Sequence, residues 1–530
     1  MQFLRIFDTG GIKKLVKGDF SKNKKPLNLS SILLPTFGDI LWLVTFFLVL
    51  IRGRHMINAD GDLALHLNLG RYILQFRKIP LKDVFSHTMT GQRVTQHEWL
   101  TTVIFSLAER YFGLTGVIII CALVISTAFW FLFKHSRKAT ETIISPFLTV
   151  FLSMIISMTH WLARPHLITF LLLTLWMMTL TQLRSGKTSR WWAMPLIMLA
   201  WVNLHGGFII GFITWFIYGM GVLWDVLWQR LPKAEGLPHH FWHYYLLGGI
   251  SAFISSLLNP SGIKLWEKII AHVGNRYLAD FTQEFRSPNF HWTSLWPALF
   301  FIALLIILLG VSKKKIDSGL LFNAAGWLVM GLYSGRNIPL FAIVTAPLIA
   351  LSADEFLLEA SHQFNFIEKI KELDARIQNI EKQLIGLFWP FLGIIAAIAA
   401  LFLGFRFDYQ KLGYAFDPGA FPIEAVNWIE NNPQKGDMFN LYQWGGYIEY
   451  RLWPEERVFI DSKSDFYGEQ FVRQYETVIN GDEGWELIIE EYNVEWALIP
   501  PDLSIAHALQ RDLGWKVVYE DETAAILRKD

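Results

Sequence analysis

From Ala59 to Trp99 the chain reads ADGDLALHLNLGRYILQFRKIPLKDVFSHTMTGQRVTQHEW, directly after its first apolar run. Groups able to do acid, base or metal chemistry crowd this stretch: Asp60, Asp62, His66, Asp83, His87, His97 and Glu98. Asp60 is placed to cap a helix running to about Phe76, which the Ile79-Pro80 step then breaks, because proline lacks the N–H and clashes with the preceding turn. His66 falls one helical turn after Asp62, on the same face. A polar loop of this kind between two apolar segments is expected to form the floor of a site at a membrane surface.

The rest of the composition agrees with that placement. Hydrophobic residues make up 53% of the 530 and charged residues 18%, where a soluble domain carries about a quarter charged. Several apolar runs approach the ~20 residues that a spanning helix needs, so the class is a polytopic α-helical membrane protein. The formal net charge of +1 gives no reason to expect a nucleic-acid partner. Cys121 is the only cysteine and lies in an apolar run, which leaves no disulfide to form. Polar residues precede the first apolar run and no small-residue cleavage site follows it, so a cleavable signal peptide is not expected.

Lysines 13, 14, 17, 22, 24 and 25 make residues 1–35 a basic tail, cytoplasmic by the positive-inside rule. The membrane region is expected over 36–404. Its first span, Phe37 to Ile51, delivers the loop 53–97 to the outer face. Further candidate spans fall near 114–133, 141–159, 166–183, 191–204, 208–228, 242–258, 294–311, 318–334, 337–352 and 384–404. Basic clusters separate them at Lys134/Arg137/Lys138, Arg184/Lys187/Arg190, Arg230/Lys233 and Lys313/Lys314/Lys315. With these inside, the turns at His160–His166, Asn203–Gly207, Asn259–Gly262 and Gly335–Asn337 all face outward, on the side of Asp60 and Asp62. The segment 98–113 either spans, as a hairpin with 114–133, or forms a short, partly inserted helix; the basic clusters favour the second. The total is eleven or twelve spans.

Residues 353–383 form a charged helix with an a/d-like stripe at Phe366, Ile370, Leu373, Ile377, Ile380 and Leu384. Two readings are open: a coiled-coil contact, or an amphipathic helix on the inner, cytoplasmic membrane surface. Residues 406–530 alternate β-like runs (Met438–Leu441, Val458–Asp461, Trp496–Ile499, Lys516–Tyr519, Ala524–Leu527) with helical stretches (Ile423–Glu430, Glu469–Val478, Trp485–Glu491). That order predicts a small soluble α/β domain with a largely parallel sheet, extracytoplasmic if the span count is odd. It holds no Gly-rich phosphate fingerprint.

Paired carboxylates at i and i+2 suit group transfer: Asp60 as the catalytic base for an acceptor hydroxyl, Asp62 helping to hold a divalent cation, Mg or Mn, with His66 organising it. Read as structure alone, Asp60 caps the helix and Asp62 favours its dipole. His97-Glu98 is no zincin motif, because position 101 is Thr. It is a candidate for contact with acceptor or phosphate, or else a helix cap before an anchoring Trp99. Arg164, His166 and Arg336 are candidate anion handles, since arginine near hydrocarbon usually lines a cavity or binds a partner. Asn203, His205 and Asn259 are weaker candidates, and Gly206-Gly207 and Asn259-Pro260 read more readily as tight turns. Tyr442–Tyr447 and Asp461–Asp465 follow expected strands, where α/β domains bind ligands; turn chemistry and core aromatics explain them as well.

Taken in order, the basic tail, one span, a loop opening on paired acids, Gly70-Arg71-Tyr72, the Ile79-Pro80 break, the Gly91 turn and Tyr111-Phe112-Gly113 make a recognisable set. Over about 36–135 the chain resembles the GT-C superfamily of membrane glycosyltransferases, in particular the protein mannosyltransferase and aminoarabinose transferase branch. Over Tyr442–Asp465 and the run from Arg336 to Leu340 it resembles an uncharacterised group of bacterial membrane proteins with this loop and an α/β tail. The resemblance implies a GT-C-type fold, a polyprenyl-phosphate sugar donor, transfer to an acceptor on the extracytoplasmic face of the cell inner (plasma) membrane, and Asp60 and Asp62 as base or metal ligand. His97-Glu98 departs from the Lys-Pro or His-Pro step that the mannosyltransferase branch often carries there. A transporter or flippase of lipid-linked sugars, and a non-catalytic membrane scaffold, remain the rival readings.

Overall fold

The structure, a computed structural model, describes residues 29–228, 236–313, 315–402 and 414–530. The lysines of the basic tail, Arg230, Lys233, Lys314 and the junction 403–413 lie outside the described residues. Every expected apolar segment is a helix: Phe37–Asn58, the second half of Trp99–Arg137, Ile144–Ser157, Leu167–Arg184, Ala193–Leu204, Ile209–Leu227, Phe241–Ser256, Trp296–Val311, Ser318–Tyr333, Ile338–Ala360 and Phe388–Phe402. Among the described residues, six helices are long and apolar enough to cross a membrane, and four shorter apolar helices accompany them. The chain is a multi-pass membrane protein.

Trp99–Arg137 is two helices. Gly113, at φ +62° and ψ −167°, interrupts it, and the turn there brings the Ala108 carbonyl against Gly116. The first half, 99–112, packs on the loop helix Asp62–Phe76, with Ser106 Oγ donating to the Leu67 carbonyl at 2.7 Å. Its Glu109 pairs with Arg71 at 2.7 Å and accepts from the Tyr450 hydroxyl of the C-terminal domain at 3.0 Å. This segment therefore joins the loop and the C-terminal domain to the bundle, whose core Phe105 and Ala108 enter and where Thr101 Oγ1 donates to the Leu204 carbonyl at 2.6 Å.

At the opposite end of the bundle, remote carboxylates satisfy helix N-termini that have no partner of their own. Asp374 accepts from the backbone N–H groups of Ile143 and Ile144, each at 2.9 Å. Asp354 accepts from those of Glu141 and Thr142, each at 2.8 Å. The bonds of Asp374 dock the helix Asn365–Glu381 by its Asp374 face, and those of Asp354 tie the same turn to the helix Ile338–Ala360. They also divide the stripe seen in the sequence, for Phe366, Leu373 and Ile380 are exposed while Ile377 packs on the bundle.

The C-terminal domain holds one sheet: β1 (Asp437–Asn440), β2 (Val494–Ile499), β3 (Lys516–Glu520) and β4 (Ala525–Arg528), in the order β1-β2-β4-β3. Only β1 and β2 pair in parallel. The expectation of a largely parallel sheet is corrected here, because β3 and β4 form a hairpin, antiparallel by necessity, and β4 enters between β3 and β2. Asp521 closes that hairpin by accepting from Thr523 N and Ala524 N. Pleating sends Phe439, Ala497, Ile499 and Leu527 to one face, under the helices Ser464–Asn480, Trp485–Glu491 and Ser504–Leu513. Met438, Trp496, Leu498 and Ile526 face the other side, under Ile423–Asn431 and Gly445–Leu452.

Val458–Asp461, expected as a strand, does not join this sheet. It runs beside the polar loop instead: His87 N donates to the Val458 carbonyl at 3.0 Å, and Thr88 Oγ1 to that of Phe459 at 2.7 Å. The domain is thereby fastened to the loop, and Ala64 of the loop helix enters its core. Closest of all is Gly61, where an added Cβ would lie 2.1 Å from the Gln443 carbonyl oxygen. Only a glycine lets the two backbones approach this far. Gly61→Ala is expected to force them apart at a cost of about 1–3 kcal/mol, and limited proteolysis should then release the segment from about 414 onward faster than in the unaltered protein.

Candidate active site

The loop helix begins at Asp62, with Gly61 at its N-cap, one residue later than the sequence suggests. Asp60 still caps it in substance, since its Oδ1 accepts from Asp62 N at 2.9 Å. The turn before Leu167–Arg184 is pinned to the end of the first helix by Ala163 N donating to the Met56 carbonyl at 2.9 Å. That contact delivers Arg164 to both aspartates, its Nε 2.8 Å from Asp60 Oδ2 and its Nη1 3.0 Å from Asp62 Oδ2. Glu284 lies 3.7 Å from the same Nη1 and 3.8 Å from Arg336 Nη1. The guanidinium of Arg336 also sits 4.2 Å from the centre of the Phe285 ring. Residues far apart in sequence thus form one ionic chain: Asp60 and Asp62, Arg164, Glu284, Arg336.

Beside this charged half lies a second cluster around Glu98, the N-cap of the helix that starts at Trp99. Its carboxyl oxygens lie 3.4 Å from His205 Nε2, 3.6 Å from His66 Nε2 and 3.8 Å from His97 Nε2. The side chains of Asp60, Asp62 and Glu98 remain 17, 22 and 17% exposed, so a ligand can reach all three. His166 belongs to the wall: it is buried, and its Nε2 is 2.9 Å from the His160 carbonyl, to which it donates. Asn203 and Asn259 are structural, the first bonded to Trp99 Nε1 at 2.9 Å and the second closing its own turn.

Burial separates the ionisation of the two halves. It raises the Asp60 carboxyl to about 6, with Arg164 pulling it back and Asp62 adding to the rise. Burial, then the charges of Asp62 and Asp465, push Glu98 up to about 8. Burial drives His66 down to about 3 and His205 well below the usual histidine range. Glu284 is also pushed up by burial, but Arg336 and Arg164 outweigh that and hold it low. At neutral pH the shifts leave Glu98, His66 and His205 uncharged beside the ionised Glu284.

Glu284 carries no spacing signal and lies in the 3-10 turn Gln283–Phe285, after the helices Lys264–Gly274 and Arg276–Phe281, a segment in which the sequence offers no candidate. The C-terminal domain supplies further polar groups at the same place. Tyr442 Oη donates to the Ser462 carbonyl at 2.7 Å, Lys463 pairs with Asp461 at 2.8 Å, and Asp465 pairs with Lys268 at 3.0 Å. Asp62 bears on the Tyr442 hydroxyl and Asp465 on Glu98. Among the described residues, no group of three or more His, Cys, Asp or Glu side chains is arranged to hold a metal ion.

The fold is a multi-pass helical bundle with a polar loop, a charged cluster at its helix ends and an α/β domain seated over it. The chain is similar to the Archaeoglobus fulgidus oligosaccharyltransferase in its apo form, with a TM-score of 0.54 and 13% identity over 87% of this chain and 69% of that one. It is also similar to ArnT from Cupriavidus metallidurans bound to undecaprenyl phosphate, with a TM-score of 0.49 and 12% identity over 92% of this chain and 97% of that one. No protein-family model and no curated protein matches the sequence.

Proposed function

We propose that the chain is an inverting glycosyltransferase that moves a sugar from a polyprenyl-phosphate donor to an acceptor hydroxyl on the extracytoplasmic face of the inner membrane. The observation that carries this reading is the contact of Arg164 with both Asp60 and Asp62 at the end of the helix bundle. A carboxylate base and a guanidinium anion-binder there stand side by side where a membrane lipid phosphate can arrive.

Asp60 takes the proton of the acceptor oxygen as that oxygen bonds to the anomeric carbon. The bond from that carbon to the donor phosphate oxygen breaks, and its electron pair leaves with the phosphate. Arg164 and Arg336 hold the phosphate and stabilise the charge it gains. Glu284 spaces the two guanidinium groups, and Asp62 orients Arg164. The Glu98 cluster forms the rest of the site.

The test is a proteoliposome assay with radiolabelled polyprenyl-phosphate hexoses, following both loss of the sugar from the lipid and its appearance in a new glycoside. Label that crosses the bilayer still attached to its lipid, with no new glycoside, would establish the flippase reading instead.

A further inference from the structure

The Glu98 cluster has a fixed hydrogen-bond polarity, set by groups outside the cavity. His205 Nδ1 accepts from the backbone N–H of Gly207 at 3.1 Å. A backbone N–H can only donate, so Nδ1 carries no proton. The Thr169 hydroxyl lies 2.7 Å from the same nitrogen, and Thr169 Oγ1 in turn accepts from Trp201 Nε1 at 3.0 Å. With its oxygen taken by the indole, Thr169 directs its own proton to His205. The single proton of the neutral imidazole is therefore on Nε2, the nitrogen that faces Glu98.

Trp201 and Thr169 are fully or almost fully buried, and neither reaches the cavity; both act through His205. The backbone takes part as well. An added Cβ at Gly207 would lie 2.6 Å from His205 Nδ1, and one at Gly206 2.6 Å from His97 Cδ2. The Gly206-Gly207 pair is thus shaped to two of the imidazoles that surround Glu98, beyond the demands of a tight turn.

The contacts of Glu98 with His205 and His66, at 3.4 and 3.6 Å, are longer than hydrogen bonds, so these groups are gathered without being closed on one another. It offers N–H donors and carboxyl oxygens with little net charge, whereas the guanidinium groups stand in the other half of the site. A phosphate seeks the charged half. Hydroxyl groups, each both donor and acceptor, match the uncharged half.

We infer that Glu98, with His66, His97 and His205, forms the subsite that reads hydroxyl groups of the transferred sugar, and that Thr169 and Trp201 are positioning residues that hold His205 as a donor within it. This inference rests on the transferase reading for the identity of its ligand. A site built to bond hydroxyls discriminates strongly against a ligand that lacks them, because its own polar groups are then left unpaired.

The experiment compares the binding of polyprenyl-phosphate glucose, mannose and galactose with that of bare polyprenyl phosphate, to the full chain in nanodiscs. At least one sugar-bearing lipid is expected to bind about tenfold or more tightly than the bare lipid. Glu98→Ala and His205→Ala should abolish that gain and Thr169→Val should reduce it. Glu98→Gln, which keeps an uncharged hydrogen-bonding group, and Thr169→Ser, which keeps the hydroxyl, should retain most of it. If none of the three sugars adds to wild-type binding the inference is overturned, as it is by variants that weaken both lipids by one common factor, the mark of a merely structural role. Sugar-dependent binding without transfer would leave this subsite standing and strike the transferase reading alone.

Discussion

Asp60→Asn is expected to lower sugar transfer by about 10²- to 10⁴-fold, the range a positioned general base contributes, with some loss of stability, because the amide nitrogen takes the place of the oxygen that accepts from Arg164 Nε. The amide keeps the size of the carboxylate, and its oxygen can still accept from Asp62 N as Oδ1 does, so the loop helix keeps its start. It cannot take a proton from the acceptor. The pH profile supplies an independent check. Burial raises the Asp60 carboxyl to about 6, and a base works only when ionised. Transfer by the unaltered protein should therefore fall as pH drops through about 6. The residual activity of Asp60→Asn should lose that acid limb. An Asn variant with undiminished turnover would remove Asp60 from the role of base.

Arg164→Ala should do more damage, because it acts on stability as well as on rate. The guanidinium is the cation that Asp60 and Asp62 share, at 2.8 and 3.0 Å, and it also approaches Glu284. Without it, two largely buried carboxylates face each other unpaired. Removing one partner of a buried ion pair costs about 3–5 kcal/mol, and the two acids would then compete for one proton. The thermal midpoint in detergent should fall clearly, and binding of bare polyprenyl phosphate should weaken together with transfer. Arg164→Lys is expected to recover part of the stability and little of the activity, since an ammonium cannot meet two carboxylates through separate atoms of a planar fork. Adding Asp62→Asn to Arg164→Ala should restore some stability by removing one of the orphaned charges. A single variant as stable as the parent would show that the aspartates do not depend on this cation.

Much of this arrangement can be read from residue order, and the exceptions have definite physical causes. Apolar runs mark the bundle helices because burial in hydrocarbon demands them along their whole length. The loop from Ala59 is legible because its acids are close neighbours. Arg164 and Arg336 are legible because arginine beside an apolar run is costly without a partner. Glu284 is not: a single acid in a polar loop looks like any solvated residue, and only folding brings it between two guanidinium groups. The tautomer of His205 depends on Thr169, thirty-six positions away, and on a backbone N–H that has no sequence signature. In the C-terminal domain, Val458–Asp461 has the composition of a strand but takes the loop as its neighbour. Composition records a preference for extended backbone and says nothing of which neighbour will be chosen. Glu98 was readable as a candidate from its place beside His97, yet not as the centre of three imidazoles drawn from three separate segments.

The contact of Gly61 with the Gln443 carbonyl also bears on when this protein can act. The turn that carries both aspartates leaves the ribosome long before the strand-to-helix corner that covers it. A nascent chain paused in between would display its acids with no ceiling above them and nothing yet to screen them from bulk water. The site is therefore complete only once the C-terminal domain has docked.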